Sequence, residues 1–531
     1  MRVASKRWTW GLTVFVILAL VVSGCSGKSA STQQPESASA SQSQPASESQ
    51  PASESQSASP RPAIDTSKEV VLKMVLLGSK PADFDEVYGE VNKIMKQKIN
   101  AKLNVTFIDW GDVSQKYPLL FAANEDFDLV YTASWNFYSQ IGTKNGFKEL
   151  TEDLLKTYAP NTWEQEPKVA WEQAKVNGKI FMVPQNNFEY GHKILAVRGD
   201  LREKYGIPEI KTLDDYHRFL AVIADKEKGM VPSMGAGEGN NFDFIQPAEF
   251  YFLQVPLPFV FKMTDPEGNV FNYVDTPEYA TYIDKMHKAA NTGAWAKDVI
   301  VSKMDRLQAF KDGKLASVEW NVGTLLGAKA VIKTAHPDWK IEIIDISADK
   351  KRFSVPFIGN GMSINAVSKN PERALMAIDL LRYDQEIHDL TNYGIKGKHY
   401  EAVGDDQYRS LPDSTKFPPA GVCPWGWNSS FERQNVDTAE EYNQVIEEFK
   451  KTTINHPLET FVFDDSKVKN EGAAMNNVMD TYGKPLAYGL VEPNDPKHGI
   501  TVFQEKLKQA GSEKYMQELQ AQVDAFMAAA K

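Results

Sequence analysis

From Val70 to Ser134 strand and helix patterns alternate without interruption, and this limits the fold more than any other feature of the 531-residue chain. VVLKMVLL (70–77) is a continuous apolar run, as a buried strand requires. Phe84, Val87, Tyr88, Val91, Ile94, Met95 and Ile99 then recur in steps of three and four, giving a helix one apolar face. KLNVTFIDW (102–110) alternates, with Leu103, Val105 and Phe107 on one side, as a half-buried strand does. A helical stretch around Tyr117 to Ala123 leads into a third strand, FDLVYTAS (127–134). Strand, helix, strand, helix, strand predicts an α/β domain with a mostly parallel sheet covered by helices.

Ligands of open α/β sheets bind outside the carboxyl ends of the strands. Two strands here run out into Asp109-Trp110-Gly111-Asp112 and Ser134-Trp135-Asn136-Phe137-Tyr138. Trp110, Trp135, Asn136 and Tyr138 are therefore candidates for a binding surface. A capped loop is the competing reading for Trp110, and core burial for Trp135.

The N-terminus is read separately. Arg2, Lys6 and Arg7 precede fifteen uncharged residues, Trp8 to Val22, too few for a spanning helix of about 20 residues but right for a secretory signal peptide. Val22-Ser23-Gly24-Cys25 closes the run and resembles a bacterial lipobox, which makes Cys25 the expected lipidation site. A short membrane anchor with an incidental cysteine is the alternative. Once Cys25 carries lipid, Cys423 is the one thiol left, so an intramolecular disulfide and a cysteine-based metal site are both excluded. Residues 26–65 follow, a Ser/Gln/Pro-rich segment with repeated QPASES that cannot bury enough apolar surface to offset its ordering entropy. It is expected to be a disordered tether, spanning roughly 35 Å at about 5–6 Å times the square root of length. The length of the tether points to a Gram-positive cell envelope.

The first 25 residues hold three of the 59 basic residues and none of the 70 acids, so the mature chain stands at 56 minus 70, or −14. That balance argues against nucleic acid or an anionic membrane surface as partner. Eleven Trp, 20 Tyr and 27 Phe are more informative, because aromatic faces are platforms for sugars, although most must be core.

Further along, helices are expected at 212–229 with Thr212 as N-cap ahead of Asp215, at 277–291, at 303–312, at 370–394 and at 513–529. In 178–207 two apolar runs flank a polar, aromatic patch, with a helix and a Gly206 stop after them, LASVEWNVG (315–323) follows the helix at 303–312, and FSVPFIGNGMSINAVS (353–368) is strand-like.

These segments, in this order, resemble the family 1 extracellular solute-binding proteins of ABC importers. The match is carried by FDLVYTASWNFYSQIGTKNGFKELTEDLL, by GKIFMVP with LAVRGDLREKYGI, by LQAFKDGKLASVEWNVGTL and by VPFIGNGMSINAVSKNPERA. NYGIKGKHY and FVFDDSKVKNEGAA with YGKPLAYG narrow it to the LipO/LplA-type lipoproteins. The resemblance covers nearly everything after the tether. It implies a two-lobed, periplasmic-binding-protein-like fold of type II with a hinge and an extra C-terminal helical region. Lobe 1 is expected at 66–187 and 360–398, lobe 2 at 188–359 and 399–531.

The resemblance further implies a carbohydrate ligand, an oligosaccharide by family precedent, held between the lobes and passed to the transmembrane subunits of an ABC permease by a monomeric receptor. Trp135 and Trp320 stand where the family's cleft tryptophans lie, one on each lobe, with Asn136 and Tyr138 beside the first. The first crossover offers Phe188, Glu189 and Tyr190, and the second offers Asn360. The loop CPWGWNSSFE (423–432) adds Trp425, Trp427 and Asn428, while Cys423 receives no role. Core burial competes for Trp320 and the loop tryptophans, and a solvated surface charge for Glu189.

No cofactor or metal is expected. The eight histidines form no HExxH, GAGEGNN (235–241) lacks the marks of a nucleotide loop, and there is no G-x-S-x-G elbow. Two suitably spaced carboxylates suffice for a glycosidase, so a lipid-anchored glycosidase or lyase stays open as an alternative. A peptide- or surface-binding lipoprotein without a transport role is the other.

Overall fold

The computed structural model describes residues 65–190, 193–234, 249–253, 257–419, 421–427, 429–454, 458 and 461–529. The expectations for Cys25, the tether, GAGEGNN and Asn428 lie outside these residues.

The predicted alternation is present. Strand β1 (Val70–Leu77) leads to helix α1 (Phe84–Ile99), strand β2 (Ala101–Ile108), helix α2 (Val113–Ala122) and strand β3 (Leu129–Thr132). Six of the seven apolar residues foreseen on α1 are buried, each contributing about 2 kcal/mol; Ile94 stays half-buried. β1 pairs in parallel with β2 along its whole length and with β3 on its other side. The sheet is nevertheless mixed, in the order β2, β1, β3, Gly361–Ile364, Met182–Pro184. Its last two strands pair antiparallel because each belongs to a crossover between lobes, and one enters the lobe as the other leaves it.

Two separate apolar cores define two lobes. One gathers the five-stranded sheet, α1 and the helix Pro371–Tyr383. The other surrounds the three-stranded antiparallel sheet Ser317–Trp320, Ile194–Arg198, Ile341–Ile344. Helices Leu213–Lys226, Pro277–Asn291, Val322–Ala335 and the C-terminal Ile500–Gln509 and Ser512–Ala529 pack on that second core. The capping box foreseen at Thr212 is formed, with Thr212 Oγ1 accepting from Asp215 N and the Asp215 carboxylate accepting from Thr212 N. The helix expected over 370–394 is instead two, Pro371–Tyr383 and Gln385–Tyr393. Asp384 takes an extended backbone between them, and its side chain caps the second by accepting from Ile387 N.

The crossovers lie side by side: Glu189–Tyr190 pairs antiparallel with Arg352–Val355, which also pairs with Thr453–Ile454. One stretch lies elsewhere than the sequence suggested. Phe417, Val422, Cys423 and Trp427, expected in lobe 2, are buried in the core of lobe 1. Cys423 has the role the sequence did not supply: its thiol donates to Leu77 O at 2.8 Å and accepts from Leu77 N, tying the loop to the end of β1. Burial pushes that thiol's pKa up, so it stays a protonated donor.

Candidate functional site

β1, β2 and β3 run parallel, so the segments that follow β2 and β3 emerge on one edge of the lobe 1 sheet. After β2 the chain turns through a short 3-10 helix, Trp110–Asp112. Gly78, at the end of β1, makes room for it. Its φ is +104°, and a Cβ there would lie 3.3 Å from Trp110 Nε1. After β3 comes Trp135, 51 % exposed, whose indole N–H donates to Gly359 O in the second crossover at 2.8 Å.

Four rings meet here. Trp110 lies 6.2 Å from Trp135 and stacks at 6.5 Å on Trp425. Tyr131, the third residue of β3, presents itself edge-on to Trp425 at 5.8 Å and lies 6.1 Å from Trp135. Three indoles are thus gathered from two strand ends and one distant loop. Large apolar side chains left partly open in this way are unusual for a surface without a partner.

The Trp425 loop is fixed from below. Arg382 is fully buried, pairs with Glu166 at 2.6 Å, and donates to Gly426 O at 3.0 Å and to Pro184 O. Burial raises the Glu166 carboxyl more than the guanidinium lowers it. The same arginine therefore steadies the tryptophan loop and the start of the first crossover.

Beneath the rings runs a buried polar chain. The Tyr131 hydroxyl donates to Asn360 Oδ1, and Asn360 Nδ2 donates to Gln185 Oε1 at 2.6 Å. Asn360, a candidate ligand contact, is 8 % exposed and serves as a tie between the two crossovers. Three further candidates are corrected. Tyr138 is fully buried, its hydroxyl donating to Ala174 O and accepting from Phe181 N, because the short helix it starts turns it into the core. Asn136 is 1 % exposed, folded under the turn that its backbone N–H closes on Ala133 O. Trp427 is 2 % exposed and donates to Thr391 Oγ1, on the opposite side of the loop from Trp425.

In the first crossover Phe188 is half-exposed and meets Tyr190 edge-on at 5.1 Å, and Tyr190 leans on Phe449. Trp320 ends its strand in lobe 2, half-buried, with the Arg306 guanidinium 4.7 Å over its ring and Arg306 held by Glu319. Among the described residues no ring contact joins Trp320 to the lobe 1 tryptophans. Lobe 2 reaches lobe 1 next to Trp110, where Lys303 approaches Asp112 at 3.3 Å. Asp112 is also paired with Lys116, and these two lysines hold its carboxyl below the usual range.

Sequence reasoning missed Tyr131, Gln185 and Glu432. Tyr131 read as one more apolar strand residue, Gln185 as a polar linker, and Glu432 as the end of a loop noted for its tryptophans. Glu432 is open to solvent at the end of its loop. Desolvation by the surrounding protein, and then the Glu189 carboxylate, push its pKa up to about 7. Glu189 is raised as well, through burial. Among the described residues no group of three or more His, Cys, Asp or Glu is placed to hold a metal ion. Two shallow concavities elsewhere, one beside Glu440, Asn443 and Glu447 and one beside Lys73, Asn104 and Lys116, do not touch the aromatic group.

Known proteins share this architecture. Residues 78–383 match the family described as bacterial extracellular solute-binding protein, and residues 457–528 match a domain of unknown function, DUF3502. A carbohydrate ABC transporter substrate-binding protein of Streptococcus pneumoniae serotype 4 is 28 % identical over 483 residues, 88 % of this chain and 92 % of that one. Lipoprotein LipO of Bacillus subtilis strain 168 is 22 % identical over 471 residues, 80 % of this chain and 87 % of its own. The crystal structure of the N-glycan transport solute binding protein NgtS of S. pneumoniae with Man1GlcNAc superposes with a TM-score of 0.74 at 24 % identity, covering 87 % of this chain and 100 % of NgtS.

Proposed function

The chain belongs to the bacterial extracellular solute-binding protein family, and on that premise we propose that it captures an oligosaccharide for an ABC importer. Family membership makes it a binding component of transport and not a catalyst. The lipid on Cys25 and the tether hold it at the outer face of the cytoplasmic membrane, where the ligand-bound body meets the permease. The open faces of Trp110, Trp135 and Trp425 carry the reading. Sugar rings present apolar C–H faces that stack on indoles, and their hydroxyls need nearby planar donors and acceptors. Glu189, within electrostatic reach of Tyr131, is one such group. The names of the pneumococcal relatives, one a carbohydrate transporter component and one an N-glycan transport protein, support the same class.

The lobes are joined by paired crossover strands, the geometry on which a hinge closes around ligand. Closure is driven by the difference in ligand affinity between the closed and open forms. Mass spectrometry of the ligand that co-purifies with the soluble body, followed by thermal shift with a panel of oligosaccharides and peptides, tests the proposal. An oligosaccharide at 100 times its Kd is expected to stabilise the protein by about 2.7 kcal/mol and to be recovered intact. A shift with peptides alone removes the carbohydrate assignment, and recovery of cleaved sugar removes the receptor role.

A further inference from the structure

The segment between Val299 and Phe310 is rooted in lobe 2 at both ends and touches lobe 1 in its middle. Val299 and Phe310 are buried in the lobe 2 core. Ser302 Oγ accepts from Met304 N at 3.3 Å, and Asp305 caps the helix Arg306–Lys311 by accepting from Gln308 N at 2.9 Å. Arg306 fastens the segment beside Trp320, its guanidinium lying over that ring and donating to Glu319. Between these anchors Val301 and Met304 are exposed, and Lys303 reaches the turn that carries Trp110.

That reach is steric as well as electrostatic. A Cβ placed on Gly111 would lie 3.9 Å from both Cβ and Cγ of Lys303 and 4.0 Å from its Cδ. The lysine stem therefore runs along the glycine before its ammonium meets Asp112 at 3.3 Å. Gly111 does not have a positive φ, so its small size matters here and its backbone freedom does not. Trp135 is hydrogen-bonded to the second crossover at Gly359 O, whereas the neighbouring Trp110 belongs to the turn that meets lobe 2. The indoles thus run from the crossover to the contact with Lys303.

We propose that residues 301–304 are a clasp that shuts the mouth of the cleft, with Lys303 seated on Gly111 and Asp112 when the lobes close over a sugar. This rests on the receptor reading above. An ion pair as exposed as this one holds the lobes weakly, so the clasp completes closure while the bound sugar supplies the driving energy. Release then requires the clasp to lift. Trp320 and Trp110 flank the same opening, since Arg306 and Lys303 are separated by three residue steps, at most about 11 Å of chain.

The 3.9 Å separation of the two Cβ positions falls within the range of about 3.5–4.5 Å that a disulfide spans. The test is therefore Gly111→Cys with Lys303→Cys in the full-length chain, where Cys25→Ser leaves buried Cys423 as the sole native thiol. Both positions face solvent, so the reduced form should melt like its Cys25→Ser parent. The protein is loaded with a mixture of short manno-, malto- and chito-oligosaccharides, cross-linked with oxidised glutathione and dialysed, and the retained sugar is measured by mass spectrometry. The cross-linked form is expected to lose sugar at least roughly tenfold more slowly than the reduced form, and to take up almost none if it is cross-linked empty. A cross-link that does not form overturns the inference, as does one that leaves uptake and loss unchanged. The protein as purified is oxidised in parallel, so that any compound it already carries is read as well. If such a compound is locked in but no oligosaccharide is, the carbohydrate reading fails and the clasp stands. If sugars bind and leave both forms at equal rates, the clasp fails alone, and if neither form holds anything, both go.

Discussion

Trp135→Ala separates binding from folding, because the ring is divided almost evenly between protein and solvent. The side chain is 51 % exposed, and an aromatic of this kind has roughly 150–250 Å² to bury, which leaves about 100 Å² for a ligand. At about 25 cal/mol per Å², full coverage is worth about 2.5 kcal/mol, and one sugar face covers only part of it. The expected loss in binding is about 1–2 kcal/mol, or roughly five- to thirtyfold in Kd.

The buried half of the ring and the hydrogen bond to Gly359 O also hold the unliganded fold. Their removal is expected to cost about 3 kcal/mol. The site opens to water, so no closed cavity adds to the transfer term. Calorimetric titration with the co-purified ligand measures the first effect, and urea unfolding of the unliganded protein the second. A Kd within twofold of the parent would mean that no sugar stacks on Trp135. A stability loss of about 4 kcal/mol or more would make it a core residue like Trp427, whose truncation is expected to cost about 3–5 kcal/mol.

Lys303→Ala removes an ion pair between lobes in which the lysine is largely exposed, so ligand affinity should fall less than about fivefold, and less again at high salt; a larger or salt-independent loss contradicts that geometry. The Cys423 thiol should resist a soluble thiol reagent in the native body and react once urea unfolds it, because it is buried and its pKa is raised; rapid native labelling refutes the placement. Glu432 has a folded pKa raised from 4.5 to about 7, so the stability it contributes is full below pH 4.5 and is lost as pH rises through about 7; melts of the unliganded protein at pH 5 and pH 8 should show E432Q gaining on the parent at the higher pH. Arg382→Met strips Glu166 of its buried partner and Gly426 O of a donor, and should cost about 3–5 kcal/mol by urea unfolding; a loss under about 1 kcal/mol would show that the pair is not isolated from water.

Local pattern made several elements legible. The three- and four-residue spacing of α1, the Thr212 and Asp215 cap, and the alternation of β2 are encoded within a few residues of one another, and they appear as read. The break at Asp384 was missed because a capping aspartate inside an apolar helical pattern reads as an ordinary polar position. Trp110 and Trp135 stand on one edge of the sheet because each follows a parallel strand whose direction sets which edge it reaches. Trp425 and Trp427 could not be told apart. They are two residues apart on one irregular loop, and only the packing of Arg382 on Gly426 and of Thr391 on the second indole turns one outward and the other inward.

By itself the sequence determined the elements, the alternating α/β class and the short list of exposed-ring candidates, because hydrophobic period and capping act over a handful of residues. Tertiary structure alone decided which candidates meet. It set Trp425 on Trp110 across more than three hundred residues of chain, and it withdrew Asn136, Tyr138 and Trp427 into the core. Burial and electrostatic coupling depend on what else arrives in the same space, and no local pattern records that.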